Sequence, residues 1–313
     1  MTPRHPTPAS SDASLRVKAI GLMMLATICF AALDSTAKYL IVSEGVPVAQ
    51  VSWLRFAGHV AFSAIVLWPF ALHPSLRSAK PLIQVLRSAL MVVTTGFNFV
   101  ALRYLQLDQT VTIFFLTPLL VAAFAGPLLN EWVGWHRVVA IIAGFIGVLL
   151  VMHPGIGTVH WAMLLALVAT LGYAFYNIAT RYLAAFDPPE VTQTYTPLAG
   201  LLVLPPFALA EWHWPSSALE WLLLSSLGFW GGLGHWLLIL AHRGAPASVL
   251  APFIYLGLIW MSVAGFLVFG DMPTWWTLSG AAIVILSGLY LLARERKALG
   301  DAKAGPASDI ASQ

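Results

Sequence analysis

Long apolar runs separated by short polar breaks fill this chain from residue 19 to residue 293. They fall at 19–41, 48–71, 82–104, 109–129, 134–152, 160–182, 190–210, 217–240, 247–269 and 275–293. A helix that crosses the hydrocarbon of a bilayer needs about 20 mostly apolar residues at ~1.5 Å each. The pattern therefore predicts ten transmembrane helices. The runs are too long and too rich in Gly and Pro for the strands of a membrane barrel, so the expected class is an all-α integral membrane bundle.

The pattern also repeats. Shifted by 140 positions, Arg103 falls on Arg243, Phe115 on Tyr255, Glu131 on Asp271 and Trp135 on Trp275. Shifted by 143, Thr27 falls on Thr170, Asp34 on Asn177, Lys38-Tyr39-Leu40 on Arg181-Tyr182-Leu183, and Gln50 on Gln193. A period this long is a duplicated half rather than a solenoid unit of 20–50 residues. With five spans per half, an odd number, the second half enters the membrane upside down relative to the first. Inverted repeats of this kind are the signature of many secondary transporters. The expected layout is a tail over 1–16, a first five-helix repeat over 17–153, an inverted second repeat over 158–295, and a tail over 296–313, both tails being disordered.

Composition agrees: 59% of residues are hydrophobic and 9% charged, against roughly 45–50% and about 25% in soluble domains. With the N-terminus in the cytoplasm, thirteen Lys and Arg fall on the cytoplasmic side, from Arg4, Arg16 and Lys18 through Arg77, Lys80, Arg87, Arg137, Arg181 and Arg243 to Arg294, Arg296, Lys297 and Lys303. Only Lys38 and Arg103 fall outside, and Arg55 lies within a span. This bias places both termini in the cytoplasm. The first apolar run resembles a signal peptide, but its match to an internal span argues that it stays as the first helix. The single cysteine, Cys29, can form no intramolecular disulfide and lacks partners for a metal site.

Several motifs carry a family resemblance. They are Ala101-Leu102-Arg103-Tyr104 at the end of the third run, Thr117-Pro118 inside the fourth, and Leu129-Asn130-Glu131 before Trp135, followed by a Gly-rich fifth run. Over roughly residues 17–295 the chain resembles the drug/metabolite transporter superfamily, in particular carriers built from two EamA-type domains. It departs from that pattern where Leu258 stands for the proline matching Pro118 and Asp271 for the glutamate. The FAALDSTAKYL and WLRF stretches are similar to amino-acid and S-adenosylmethionine carriers. The resemblance implies an exporter or an importer of a small metabolite.

Polar groups inside the spans are the candidate site, because each is costly in lipid. Asp34, Arg55 and Asn98 are expected at one depth in the first three helices, with Arg55 holding an anionic group. A structural Asp34–Arg55 pair, or an Asp34–Lys38 pair reaching outward, is the alternative. Ser52, Arg55, His59 and Ser63 form one polar stripe at helical spacing; Met91, Thr94, Thr95 and Asn98 form a second, and Thr170, Tyr173, Asn177 and Arg181 a third. Such stripes must face protein or water rather than lipid. His59 and His235 lie midspan, as core histidines or proton relays. Trp53, Phe97, Phe115, Tyr173, Tyr176, Trp230 and Tyr255 are deep aromatics that suit a solute with a planar part. The expected substrate-binding set is thus Asp34, Trp53, Arg55, His59, Asn98, Phe115, Tyr173, Asn177, His235 and Tyr255. Lys38, Glu131 and Asp271 are gate or anchoring candidates, and Pro118 marks a bend. Ala140, Gly144 and Gly147, and likewise Gly228 and Gly232, predict closely packed helix faces.

There is no phosphate-binding loop, no HExxH and no GxSxG, so neither ATP-driven transport nor membrane enzymology has visible machinery. The loops are too short for a channel filter. The reading is a secondary transporter in the cytoplasmic membrane working by alternating access, without a cofactor or metal. Its partners are a small-molecule substrate and the lipid bilayer, with no nucleic acid, and it works as a monomer or a dimer. The substrate is read as an amino acid or a related zwitterion, the alternative being a nucleotide-derived or drug-like solute.

Overall fold

The computed structural model describes residues 8–71, 77–129, 135–152, 160–183, 185–244 and 253–304, and every regular element among them is helical. Three long helices come first: α1 (Pro8–Val42), α2 (Val48–Ala71) and α3 (Pro81–Leu102). The run expected as one span near 109–129 is broken into α4 (Leu107–Phe114) and α5 (Thr117–Leu129). Pro118 explains the break, since it offers no N–H to the carbonyl one turn back. Then follow α6 (Trp135–Met152) and α7 (Trp161–Leu183). The 190–210 run is broken twice, into α8 (Pro189–Tyr195), α9 (Leu198–Val203) and α10 (Pro205–Ala210), with Pro197 and Pro205 at the breaks. The chain continues with α11 (Ala218–Gly244), α12 (Leu256–Ala264), a π turn at Gly265–Phe269, and α13 (Trp275–Ala304).

Four helices are long and apolar enough to cross a membrane by length and composition: Val17–Val42, Pro81–Leu102, Trp161–Thr180 and Ala218–Ala241. The first, at ~1.5 Å per residue, exceeds the ~30 Å hydrocarbon thickness. Shorter apolar helices lie at Leu107–Val121, Val138–Val151, Leu256–Phe269 and Trp275–Tyr290. The terminal helices run past their apolar stretches. α1 begins at Pro8 and α13 continues to Ala304, both within segments read above as tails. Ala-rich flanks extend an already formed helix at little cost, because propagation is far easier than nucleation.

The packing pairs helices from the two halves. α1 lies along α11, α3 along α7, α6 along α13, and α2 also runs against α11. Small residues set the closest crossings. A Cβ on Gly58 of α2 would stand 2.8 Å from the Cα of Gly228 on α11. One on Gly147 of α6 would stand 2.8 Å from the carbonyl oxygen of Gly280 on α13. Gly144 and Gly232 face Leu119 and Phe62 with as little room. The expected close-packed faces are therefore present, and backbone contact is what drives association where lipid removes the hydrophobic term.

Candidate functional site

All four residues of the α2 stripe, Ser52, Arg55, His59 and Ser63, are buried, as are Met91, Thr94, Thr95 and Asn98 of α3. On α7, Thr170 is buried, while Tyr173 and Asn177 are half-buried. The described stripe residues face protein, as their spacing predicts, while the Arg181 side chain lies outside what the structure describes. Where they meet, Asn98 donates from Nδ2 to Asp34 Oδ1 at 3.3 Å, joining α3 to α1. Arg55 lies close enough to Asp34 for the charges to interact, yet they form no salt bridge. Its Nη2 rests 3.9 Å from Met91 Sδ and its guanidinium lies 4.7 Å from the Phe56 ring centroid. Nε and Nη1 are buried without any hydrogen-bond partner. Gly231 on α11 gives this side chain its room, since the atoms nearest to a Cβ there would be Arg55 Nε and Leu33.

One turn along the stripe from Arg55, His59 stacks on His235 of α11, with ring centroids 5.6 Å apart and planes 14° from parallel. His59 Nε2 meets Gln193 Nε2 at 2.8 Å, which requires that nitrogen to accept, and Nδ1 has no partner. His235 also packs edge-on to Phe30 at 5.2 Å and lies 6.3 Å from Tyr176. Tyr176 in turn stacks on Tyr173, centroids 5.6 Å apart at 11°. The result is a wall of stacked, planar rings beside an arginine with unused donors.

A second buried arginine lies deeper. Arg87 of α3 is 1% exposed, although its sequence context reads as a cytoplasmic orienting charge, so the orientation argument loses that residue. It donates from Nε to Thr180 Oγ1 at 2.8 Å, and from Nη2 to Tyr176 Oη at 3.0 Å and Thr196 Oγ1 at 2.9 Å. The next residue, Ser88, repairs the backbone break at Pro197. Its hydroxyl donates to the Thr196 carbonyl and accepts from Ala199 N–H, both at 2.9 Å. That N–H sits in the first turn of α9 and would otherwise be an orphan.

The two ends of the bundle are tied by polar contacts. At one end, Lys38 pairs with Asp271 at 2.8 Å and lies 4.4 Å from the Phe269 centroid. Gly270, in the left-handed region at φ 71°, turns the chain sharply after the π turn and presents Asp271 to α1. At the same end, Gln50 and the backbone of His213 exchange two hydrogen bonds, each 2.8 Å. At the other end, Asp187 accepts from Ser78 Oγ, from Ala79 N–H at 2.7 Å and from Gln84 Nε2 at 2.8 Å. Burial pushes this carboxyl up, but those three donors outweigh it and hold it below its ordinary value.

Comparison with known proteins completes the picture. The profile of the EamA-like transporter family matches twice, at residues 17–153 and 160–294. The chain belongs to the EamA-like transporter family. That places it in the drug/metabolite transporter superfamily, as the motifs suggested. It is 30% identical over 280 residues to a riboflavin transporter of Vibrio cholerae serotype O1, covering 88% of this chain and 93% of that one. It is 28% identical over 283 residues to an S-adenosylmethionine uptake transporter of Rickettsia bellii, covering 90% and 95%. A solved crystal structure superposes with a TM-score of 0.61 at 20% identity, covering 91% of this chain and 99% of that one, a likeness of fold alone. This EamA-like chain is therefore a helical membrane protein that carries a small metabolite. Its family and relatives are transporters, not enzymes. Nothing in those names supports an amino-acid substrate.

Within the EamA-like bundle the expected site residues divide. Asp34, Arg55, His59, Asn98, Tyr173 and His235 come together, and Asn177, one turn from Tyr173, caps its carbonyl at 2.7 Å. Trp53 does not join them. Its indole donates at 3.3 Å to the Leu201 carbonyl, which Pro205 leaves without its helical partner. Phe115 and Tyr255 pack edge to face at 5.0 Å in a separate apolar cluster, and Gly288 leaves space for the tyrosine. Lys38 pairs with Asp271 rather than with Asp34, so the outward-reaching Asp34–Lys38 alternative is not formed. Pro118 sits at the α4–α5 break, and Glu131 lies outside the described residues. Sequence reasoning missed Arg87 and Gln193 as parts of the site, and read Tyr176 only as a deep aromatic outside the binding set. Gln193 had a signal, since it matches Gln50 in the repeat; Arg87 had none, because a buried and a topogenic arginine near a helix end look alike in sequence.

Proposed function

We propose that this protein is an alternating-access secondary transporter of a planar, acceptor-bearing metabolite of the riboflavin class, seated in the cytoplasmic membrane with both termini inside. The observation that carries the reading is Arg55, whose Nε and Nη1 are buried without partners beside the stacked Tyr173–Tyr176 and His59–His235 rings. Buried donors without partners are costly, by about 1–3 kcal/mol each, and a solute that supplies carbonyl acceptors removes that cost on binding. An isoalloxazine ring has two such carbonyls on one edge and a flat face to stack. A sulfonium centre suits the site less well, because it offers those unpartnered donors no acceptor.

The architecture we propose is a pair of inverted five-helix repeats over 17–153 and 158–295. Two observations support it. The contact of α1 with α11 becomes that of α7 with α3 when the halves are exchanged, and Phe115 and Tyr255, which match under the repeat, touch each other as residues near a two-fold axis do. The polar ties at both ends then serve as the closures that alternate during transport.

Solute counterflow in proteoliposomes tests the reading. Labelled riboflavin, S-adenosylmethionine and a panel of amino acids are presented to vesicles preloaded with the matching unlabelled solute. Transient accumulation of riboflavin above equilibrium is the expected result. Accumulation of an amino acid instead would refute the substrate class, and passive entry with no overshoot for any solute would refute the alternating-access mechanism.

A further inference from the structure

We propose that Arg87 is a positioning residue for the bound solute, acting through Tyr176 and Tyr173. This rests on the reading of the stacked rings as the solute's wall. Arg87 is fully buried, and among the described residues no carboxylate pairs with it. Hydroxyl and carbonyl oxygens of α7 and α8 surround its guanidinium instead: Thr180 Oγ1, Thr196 Oγ1, Tyr176 Oη and the Thr192 carbonyl at 3.4 Å. Thr180 donates its own proton to the Tyr176 carbonyl at 2.7 Å, and Thr196 donates to the Thr192 carbonyl at 2.8 Å. With their protons committed to their own helices, both hydroxyls can only accept from the guanidinium. The donors of Arg87 are thus fully used, in contrast to those of Arg55.

The contact with Tyr176 has two parts. Nη2 donates to the phenol oxygen at 3.0 Å, and the guanidinium carbon lies 4.4 Å from the ring centroid. Together they fix both the position of the hydroxyl and the tilt of the ring. Tyr173 stacks on that ring at 11° and is the less buried of the two, with Phe114 6.1 Å away. The orientation of the outermost ring is therefore inherited from Arg87 through one stacked intermediate. The guanidinium fork is what the geometry uses: an ammonium cannot hold Thr180, Thr196 and Tyr176 in one plane.

The test uses the full chain in proteoliposomes, with riboflavin counterflow and 19F NMR of 3-fluorotyrosine placed at position 173. Arg87→Lys keeps the charge and loses the fork; Tyr176→Phe keeps the ring and loses the hydroxyl, so it still reports if the first variant folds poorly. Each is expected to raise KM for riboflavin ~10-fold with little change in Vmax, and the double variant is expected to be no worse than the stronger single one. Arg87→Lys is also expected to move or broaden the Tyr173 fluorine line. A wild-type KM in both variants, or fully additive effects, would overturn the relay. If riboflavin fails to bind even the wild type, the substrate class falls and the fluorine line alone decides: a shift in Arg87→Lys upholds the positioning role, and an unchanged line overturns it.

Discussion

Arg55→Lys separates a binding arginine from a structural one by its two effects. In a structural arginine the guanidinium nitrogens are engaged, and losing the fork lowers stability. Here two of the three nitrogens are buried without partners, and the third meets only a thioether at 3.9 Å. Lysine removes Nε and Nη1 and keeps one charge, but brings three ammonium donors of its own to the same site. Because no hydrogen bond of the guanidinium is lost beyond that thioether contact and both side chains leave donors unpartnered, the folded protein should change little in stability, by about 1 kcal/mol or less. Solute binding should weaken. Hydrogen bonds to a charged group are worth about 1.5–3 kcal/mol, so losing one of a bidentate pair should raise KM by about tenfold or more. The assay is riboflavin counterflow alongside thermal unfolding of the detergent-solubilised protein. A fall in Tm with an unchanged KM would refute the argument and make Arg55 a packing residue.

Charge exchange tests the tie between α1 and the segment before α13: Lys38→Asp alone should slow transport, and adding Asp271→Lys should restore most of the loss, as measured by counterflow rate. Gly228→Leu should fail to accumulate as folded protein, because its side chain would enter the backbone of α2 at Gly58; normal expression and transport would refute the close crossing. Ser88→Ala should cost about 1–2 kcal/mol, because it strips a partner from both Ala199 N–H and the Thr196 carbonyl, seen as a lower Tm. Asp187 has a folded-state pKa below its ordinary value of 3.8, so its contribution is present above that value and disappears as pH falls through the folded pKa. The Tm gap between the wild type and Asp187→Asn should therefore be open at neutral pH and close below about pH 3–4.

What sequence conveyed, and what it did not, follows from how each feature is encoded. Polar residues on a spanning helix have a single physical outlet, so the buried stripes of Ser52, Arg55, His59 and Ser63 and of Met91, Thr94, Thr95 and Asn98 could be read from spacing alone. Glycines at a crossing are legible in the same way, as Gly147 and Gly228 show. Depth is legible along a single helix: Asp34 and Asn98 were placed in one layer and are hydrogen-bonded. Pairing between distant elements is not. Lys38 selects Asp271, 233 positions away, over Asp34 one turn away, because a glycine in the left-handed region delivers the distant carboxylate to it. Trp53 and Tyr255 read as deep aromatics suited to a ligand, yet one serves a carbonyl orphaned by Pro205 and the other fills the space left by Gly288. Neither job leaves a mark in the local sequence, since each depends on a proline or glycine from another part of the chain.

The distribution of buried charge bears on what the site accepts. Arg55 and Arg87 place two guanidiniums in the interior, and the one carboxylate near them among the described residues, Asp34, is held by an amide rather than by either arginine. Arg87 is compensated by hydroxyl dipoles whose protons are turned away from it, which stabilises its charge without neutralising it. Beside this site the two buried guanidiniums thus outnumber the one described carboxylate. Such a field favours neutral solutes rich in carbonyls and penalises cations, and in a low-dielectric interior the penalty is several-fold greater than in water. Of the two substrates named for its relatives, the proposed reading therefore takes the neutral flavin over the sulfonium cation. It also suggests a part for Asp34, whose carboxylate lies close enough to Arg55 for the charges to interact and, on this reading, moves onto those donors once the solute leaves. Replacing Asp34 by Asn would remove that stand-in, and the empty carrier would then return more slowly than the loaded one exchanges. Net uptake should fall while counterflow, which never passes through the empty return, stays near its wild-type rate. Equal loss of both would show that Asp34 touches the solute itself.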